Sequence, residues 1–222
     1  MLTPHIYTPP PHNTLEVLFR DKHIIILNKP AGLLSVPGRG DDKQDCMLSR
    51  CQLEHPNACI VHRLDMPTSG IIMFALTKEI QRELSILFEK RLIQKHYIAK
   101  VHGVLREKKG TVNQPLITNW QQRPKQKIDY KTGKPSTTNY KCLKIIDDNK
   151  NSLVKLEPVT GRSHQLRVHM SSLGHPILGD QLYGTPLSRT ASHRLLLHAQ
   201  KISFTHPVTH SLIRINCEAD FV

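Results

Sequence analysis

The feature that most constrains the fold is a six-residue apolar run, residues 71–76 (IIMFAL), directly behind a short polar segment. An unbroken apolar run of this length predicts a strand covered on both faces. The polar segment, residues 61–70 (VHRLDMPTSG), ends on that strand, so we expect a loop on a rigid support. Arg63 and Asp65 are two positions apart and would point to the same side of an extended segment. The sequence therefore predicts a carboxylate on a fixed loop with a cation beside it.

A structural ion pair in a loop is the ordinary explanation of a single Arg-x-Asp. Here, however, other segments follow in order: residues 95–99 (KHYIA), 160–169 (TGRSHQLRVH) and 194–199 (RLLLHA). Together with residues 62–70 they resemble the motifs of the RluA-type pseudouridine synthases. Residues 29–32 (KPAG) resemble a further, mainly structural motif that lies near the start of these synthases. The resemblance runs from about Leu15 to the C-terminus.

The resemblance implies roles for individual residues. Asp65 matches the catalytic carboxylate, Tyr97 the active-site tyrosine, and Arg167 the arginine that pairs with the catalytic carboxylate, with Arg162 as the alternative. Considered alone, Tyr97 would be interpreted as a strand aromatic packed on a neighbour. In the family, the last motif places an aliphatic residue against the target base. The resemblance does not show which of the three leucines at residues 195–197 this is, and we choose Leu197. The remaining predicted substrate or RNA contacts are His62, Arg63, Arg123, Lys125, Lys127 and Arg162.

The family fold implied is α+β: a long, mostly antiparallel mixed sheet flanked by helices, with the active-site cleft across it. We expect an N-terminal arm at residues 1–14 and one catalytic domain at residues 15–222, without the S4-type RNA-binding domain of many relatives. Local patterns predict a helix after a Thr77 cap, with one apolar face, and another between Ser163 and Gly174. A further short helix is predicted at residues 41–54. Strands are predicted at residues 15–20, 23–28, 95–103, 137–146, 152–157, 201–205 and 211–218.

The formal net charge of +13 favours a nucleic-acid partner. An anionic membrane surface is the competing interpretation, but it would require a basic amphipathic helix, whereas the cations here lie mostly in loops. Residues 119–127 place the single Trp among three cations. That mixture suits looped RNA, although a solvated loop with a packed Trp would also explain it. The segment as far as Lys134 resembles a subfamily acting on 23S ribosomal RNA and a tRNA anticodon loop.

Five cysteines without a secretion signal predict reduced thiols and a cytoplasmic protein. Cys46, Cys51 and Cys59 lie near His55 and His62, but they lack the paired spacing of zinc sites. No Gly-x-x-x-x-Gly-Lys phosphate loop is present. We therefore expect activity without metal or cofactor, on RNA, by a monomer with no membrane association and no obligatory protein partner.

Two other functional classes compete with a synthase. A non-catalytic RNA-binding protein would explain the charge, but it would not need Asp65, Tyr97 and Arg167 together. A hydrolase using Asp65 would need a second acidic residue, and none lies near the motifs.

Overall fold

The computed structural model describes residues 7–12, 14–148 and 150–222. The elements, in chain order, are β1 (Val17–Arg20), β2 (Ile24–Lys29), α1 (Met47–Glu54), β3 (Cys59–Ile60), β4 (Ser69–Ala75), α2 (Lys78–Glu89), β5 (Gln94–His102), β6 (Lys109–Asn113), β7 (Leu116–Thr118), β8 (Gln126–Ile128), β9 (Thr137–Ile146), β10 (Asn151–Pro158), α3 (Gln165–Ser172), α4 (Pro186–Thr190), β11 (Leu197–Thr205) and β12 (Leu212–Asn216). Short 3-10 helices span Asp41–Lys43 and Trp120–Gln122.

The chain forms two compact units. The first contains the chain up to Ile93 together with Ser203–Glu218, and the second contains Gln94–Ile202 with Ala219–Val222. The predicted α+β class is confirmed, since strands predominate over a few helices in the described residues. None of those helices is long and apolar enough to cross a bilayer.

In the first unit, β4 is the central strand. It pairs antiparallel with β2 along its length, and near its C-terminal end also with β3. All seven residues of β4 are buried, as is the run Ile24–Leu27 of β2, which explains why both strands are continuously apolar in sequence. Helix α2 packs on β4 with Ile80 and Leu84 buried. As predicted, the Thr77 side chain caps α2, accepting a hydrogen bond from the Ile80 amide.

The predicted N-terminal arm is attached to the first unit where it is described. Tyr7 is buried and its hydroxyl donates to the Asp45 carbonyl, while Arg50 donates to the carbonyls of Pro10 and Pro11. Residues 1–6 and 13 of the predicted arm lie outside the described residues.

In the second unit, β5, β10, β9 and β6 form successive antiparallel ladders. Helix α3 contacts β8, β9 and β10. The core combines one face of β5 and β10 with residues of α3 and with leucines at the start of β11. Its members are Ala99, Val101, Leu105, Val154, Leu156, Leu166, Met170, Ile177, Leu195 and Leu197. A separate two-stranded hairpin is formed by β7 and β8.

Helix α3 differs from its prediction at its start. His164, in the left-handed conformation (φ 54°), is the N-cap and makes no side-chain cap, so the predicted Ser163 cap is wrong. The predicted end is confirmed: Gly174 adopts φ 81°, and the His175 amide bonds to the Met170 carbonyl in a Schellman arrangement. Residues 165–170 are all buried, because the helix is covered on every side rather than along one apolar face.

Candidate active site

The loop that carries Asp65 is held to the first unit through its main chain. Ser35 Oγ donates to the Leu64 carbonyl (2.7 Å) and accepts from the Leu64 amide (3.1 Å). The Met66 carbonyl accepts from the Gly32 amide (2.9 Å) and from Lys29 Nζ (3.1 Å). The residues on either side of Asp65 are therefore fixed by four hydrogen bonds from residues 29–35, all of them to main-chain groups.

Lys29 is fully buried, which is unusual for a lysine. Its ammonium donates to three carbonyls, those of Pro30 (2.9 Å), Leu33 (2.8 Å) and Met66. Burial lowers the pKa of Lys29 to about 7, and the negative charge of Asp65 acts in the opposite direction. The structural role expected for this residue agrees with these contacts, and Lys29 also brings a positive charge into the electrostatic environment of Asp65.

Side chains alternate in direction along the loop. Arg63 is exposed, Leu64 is buried and Asp65 is partly buried. The Thr68 amide donates to the Asp65 carbonyl, which closes a turn. His62, predicted to contact RNA, accepts a hydrogen bond from the Met73 amide at Nε2 (3.0 Å), and its ring lies 4.8 Å from that of Phe88. These contacts attach the start of the loop to β4 and α2.

In the second unit, Tyr97 lies on β5 opposite Leu156 of β10, partly buried against the core. Lys95 is two residues earlier and therefore on the same face of the strand. Burial lowers the pKa of Lys95. A Cβ added to Gly161 would lie only 3.9 Å from Lys95 Nζ, so Lys95 reaches the loop ahead of α3.

Arg167 makes a bidentate ion pair with Asp180. Its Nε donates to Oδ2 (2.8 Å) and an Nη donates to Oδ1 (2.7 Å), with both side chains at most 3% exposed. Burial works to raise the pKa of Asp180, but the hydrogen bonds and charge of Arg167, with the amides of Leu182 and Tyr183, outweigh it and leave that pKa lowered. Asp180 therefore fixes the plane of the guanidinium. The predicted pairing of Arg167 with Asp65 stays a prediction.

Two further side chains of the third motif connect it to neighbouring strands. Gln165 is fully bonded: its amide nitrogen donates to Thr137 and Thr138, and its oxygen accepts from the Thr160 hydroxyl and the Arg162 amide. His169 is buried, with Nδ1 bonded to Thr138 Oγ1 and Nε2 to the Gln114 carbonyl. Burial lowers the pKa of His169, although the Gln114 contact opposes this.

Tyr183 joins several of these segments. Its hydroxyl shares a hydrogen bond with His164 Nδ1 (2.7 Å) and accepts one from the Gln126 amide (2.7 Å). Its ring lies 5.2 Å from the guanidinium carbon of Arg167. The β7–β8 hairpin is thereby attached beside the Arg167–Asp180 pair.

The three leucines at the start of β11, Leu195 to Leu197, have different exposures. Leu195 and Leu197 are core residues, 1% and 2% exposed. Leu196 is partly exposed and held by its main chain to Lys100 and Leu178. Exposure therefore favours Leu196 over our choice of Leu197 as the residue able to contact a base.

The basic residues predicted to bind RNA lie on exposed surface of the second unit. Arg123 and Lys127 are exposed and Lys125 is partly buried, all on or beside the β7–β8 hairpin. Arg162 is exposed and donates to the Pro135 carbonyl. Trp120 is 68% exposed, so its interpretation as a packed aromatic is wrong.

The described residues contain no group of three or more His, Cys, Asp or Glu side chains arranged to hold a metal ion. Cys46, Cys51 and Cys59 are buried. Burial raises the pKa of Cys51 to about 12, so its thiol stays protonated at neutral pH.

Asp180 is the residue that sequence reasoning missed. It follows the third motif within residues 173–180 (LGHPILGD), a match that we noted without assigning a role to the carboxylate. The signal available was an acidic residue that follows an apolar pair and Gly179 within a stretch matching the family. That glycine is required, because a Cβ there would lie 1.8 Å from the Arg194 carbonyl oxygen.

Comparison with protein families gives a match over residues 23–172 to the model for RNA pseudouridylate synthase. Among curated proteins, the dual-specificity RNA pseudouridine synthase RluA of Escherichia coli K12 is 49% identical over 97% of this chain and 98% of its own length. The RluA proteins of Yersinia pestis and Haemophilus ducreyi are 50% and 46% identical, over 92% and 97% of this chain and 99% and 98% of their own lengths.

Two solved structures are similar to this chain. Human RNA Pseudouridylate Synthase Domain Containing 1 matches with a TM-score of 0.79 and 28% identity, over 96% of this chain and 87% of its own. Human RNA Pseudouridylate Synthase Domain Containing 4 gives a TM-score of 0.71 at 24% identity, over 93% and 89% of the two chains, a likeness of fold alone.

Proposed function

This chain belongs to the RluA-type family of RNA pseudouridine synthases, and from that premise we propose that it isomerises uridines in both 23S ribosomal RNA and tRNA, with Asp65 as the catalytic carboxylate. The observation that carries the proposal is the loop of residues 62–68, whose main chain is held by residues 29–35 while it presents the motif carboxylate. Dual specificity is proposed by analogy with relatives described as dual-specificity synthases, which are 46–50% identical over nearly their whole length.

The reaction requires that the bond between uracil N1 and ribose C1′ breaks and that a bond between C5 and C1′ forms. The C5 proton is lost and N1 ends protonated, so atoms balance without redox chemistry. Asp65 acts on C6, on C1′ or on a ribose proton, as nucleophile or base. For the first two roles the carboxyl must be ionised, and Lys29 lies close enough to interact with its charge.

Two residues of the second unit complete the proposed chemistry. Tyr97 offers a ring face to the flipped uracil and a hydroxyl for proton transfer, and Arg167 supplies the family's active-site cation. The bidentate bond to Asp180 supports the role of Arg167, because a catalytic cation must be held in one orientation. Arg63, exposed on the loop, would fill the space that the base leaves in its RNA.

Recognition of two RNAs is consistent with a short structured element common to both. Phosphate contacts give affinity without sequence information, whereas bases that can be splayed out of a loop give specificity. We therefore propose stem-loop substrates, modified by a cytoplasmic monomer that needs no protein partner.

The test is tritium release from [5-³H]uridine in two isolated stem-loops, one from 23S ribosomal RNA and one from a tRNA anticodon arm. The wild-type protein should release tritium from both, since the C5 proton exchanges with water. Asp65→Asn should bind both RNAs with unchanged affinity and release none. Release by Asp65→Asn at a normal rate would refute the catalytic role of Asp65, and acceptance of only a whole ribosomal subunit would refute the stem-loop proposal.

A further inference from the structure

The tip of the β7–β8 hairpin is a fixed turn that presents a tryptophan. Residues 120–122 form a 3-10 helix, and the Asn119 amide donates to the Lys125 carbonyl (2.9 Å) across the turn. The Lys125 amide donates in turn to the Gln122 carbonyl (2.9 Å). The next residue, Gln126, is attached to Tyr183 through its amide. Trp120 is therefore positioned by main-chain bonds that do not depend on its own side chain.

The exposure of Trp120 is not explained by packing. The indole is 68% exposed, although leaving so large an aromatic in water forgoes a sizeable burial energy. The Arg123 guanidinium carbon lies 3.6 Å from the ring centroid, stacked on one face. Such a cation–π pair fixes the direction of both groups. It creates a flat, preformed surface with a positive charge behind it.

The surroundings of this pair favour an anionic partner. Residues 114–136 contain five cations and one acid, Asp129. The Asp129 carboxylate is engaged locally, accepting from the amides of Lys131 and Thr132 and lying 3.6 Å from Lys127 Nζ. Arg123, Lys127, Lys131 and Lys134 are exposed. The hairpin thus presents a stacking surface within a field of positive charge.

We propose that Trp120, backed by Arg123, stacks on one unpaired base of the RNA substrate, a base other than the uridine that reacts. An aromatic ring interleaved with cations is the arrangement by which proteins hold single-stranded RNA. A paired base within a helix has both faces covered by its neighbours, so only a loop or bulge base fits this surface. This inference rests on the proposed function, in which the ring face of Tyr97 receives the target uracil.

The protein contains a single tryptophan, so its fluorescence reports this contact directly. The binding experiment uses Asp65→Asn, which removes turnover, and titrates the two stem-loops. Saturable quenching of Trp120 emission should give the same Kd as an independent filter-binding assay. Replacing one particular loop nucleotide by an abasic site should abolish most of the quenching, whereas abasic sites elsewhere in the loop should not. Binding without quenching would overturn the proposal.

Substitutions provide the second arm of the test. In the otherwise wild-type protein, Trp120→Ala should weaken RNA binding by roughly 5- to 150-fold, the range for loss of one base stack. Trp120→Phe should recover part of that loss. Single-turnover rates at saturating RNA should be unchanged, because the proposed stack holds a base other than the one that reacts. Tyr130→Ala, a loss of another exposed aromatic (74%) on the same segment, is the matched control and should change binding by less than about twofold.

The outcomes separate this inference from the proposed function. If wild-type protein releases tritium from the stem-loops and Trp120→Ala binds them as tightly as wild type does, the stacking site is refuted and the synthase activity stands. If the wild-type protein quenches and binds but releases no tritium, the proposed substrates fail while the stacking site stands. Equal weakening by Trp120→Ala and Tyr130→Ala would also refute the stacking site, because it would indicate a general effect on the hairpin.

Discussion

The buried pair of Arg167 and Asp180 leads to a quantitative prediction for Asp180→Asn. The substitution keeps the shape of the side chain but removes its charge, and it turns one acceptor of the bidentate bond into a donor that faces the guanidinium. Both side chains are at most 3% exposed, so the positive charge of Arg167 stays in the interior after losing its bidentate partner. Breaking a buried ion pair by removing one partner costs about 3–5 kcal/mol. For a chain of this size that corresponds to a fall in Tm of roughly 6–20 °C.

The assay is urea denaturation of the wild type and Asp180→Asn, with Arg167→Met/Asp180→Leu as the comparison. The double variant removes both charges, so we expect it to unfold at higher urea than Asp180→Asn does. A loss below about 1 kcal/mol in Asp180→Asn would refute the reasoning, since it would mean that the pair contributes no more than a surface salt bridge.

The same pair predicts a pH dependence. The pKa of Asp180 is lowered in the folded state, so the unfolded chain binds a proton first as the pH falls. The stabilisation by the carboxylate is therefore complete above the unfolded pKa of about 4. It is lost as the pH falls from that value through the folded pKa. The difference in unfolding free energy between wild type and Asp180→Asn should stay constant from neutral pH to about pH 4 and shrink only below it.

Three further predictions concern the catalytic loop and Tyr97. Tyr97→Phe should lower the single-turnover rate far more than RNA affinity, because only the hydroxyl is lost; an unchanged rate would remove that hydroxyl from the mechanism. Lys29→Met should abolish a dependence of stability on pH. The pKa of Lys29 in the folded protein, about 7, lies below its unfolded value, so above pH 7 the unfolded state binds more protons than the folded state. The free energy of unfolding of the wild type relative to the variant should therefore rise by up to roughly 4 kcal/mol between pH 7 and 10. A flat difference in urea titrations would contradict this. Ser35→Ala should cost about 1–3 kcal/mol by leaving the Leu64 main chain unsatisfied and should reduce turnover; Ser85→Ala on exposed helix surface is the control, and equal losses in both would refute the anchoring role.

Local elements were predictable where one short signal determines them. The Thr77 cap and the burial of residues 71–75 in β4 each depend on neighbouring residues alone. At α3 the local signal was insufficient. Ser163 is a better capping residue than His164 by composition, but the tertiary contact of His164 with Tyr183 accompanies a left-handed conformation that takes the cap position.

The candidate site was predictable only as far as the family resemblance reaches. Asp65, Tyr97 and Arg167 come from motif positions. Asp180 as the partner of Arg167 could not be inferred from spacing, because the two are thirteen positions apart, on α3 and in the loop that follows it, and pairing requires the folded loop. The leucine that contacts the base could not be settled from the sequence for a similar reason, and Leu197 stays a prediction. Without a known core, alternation does not indicate which of Leu196 and Leu197 faces inward.

The way the catalytic loop is attached has an evolutionary consequence. The four bonds described above, from Lys29, Gly32 and Ser35, end on the backbone amide of Leu64 or on the backbone carbonyls of Leu64 and Met66, and these groups are kept when a loop side chain is replaced by any residue except proline. The exposed side chain at position 63 can therefore change while the loop keeps its path. Selection, or a protein engineer, can alter the contacts made from position 63 while these four bonds stay in place.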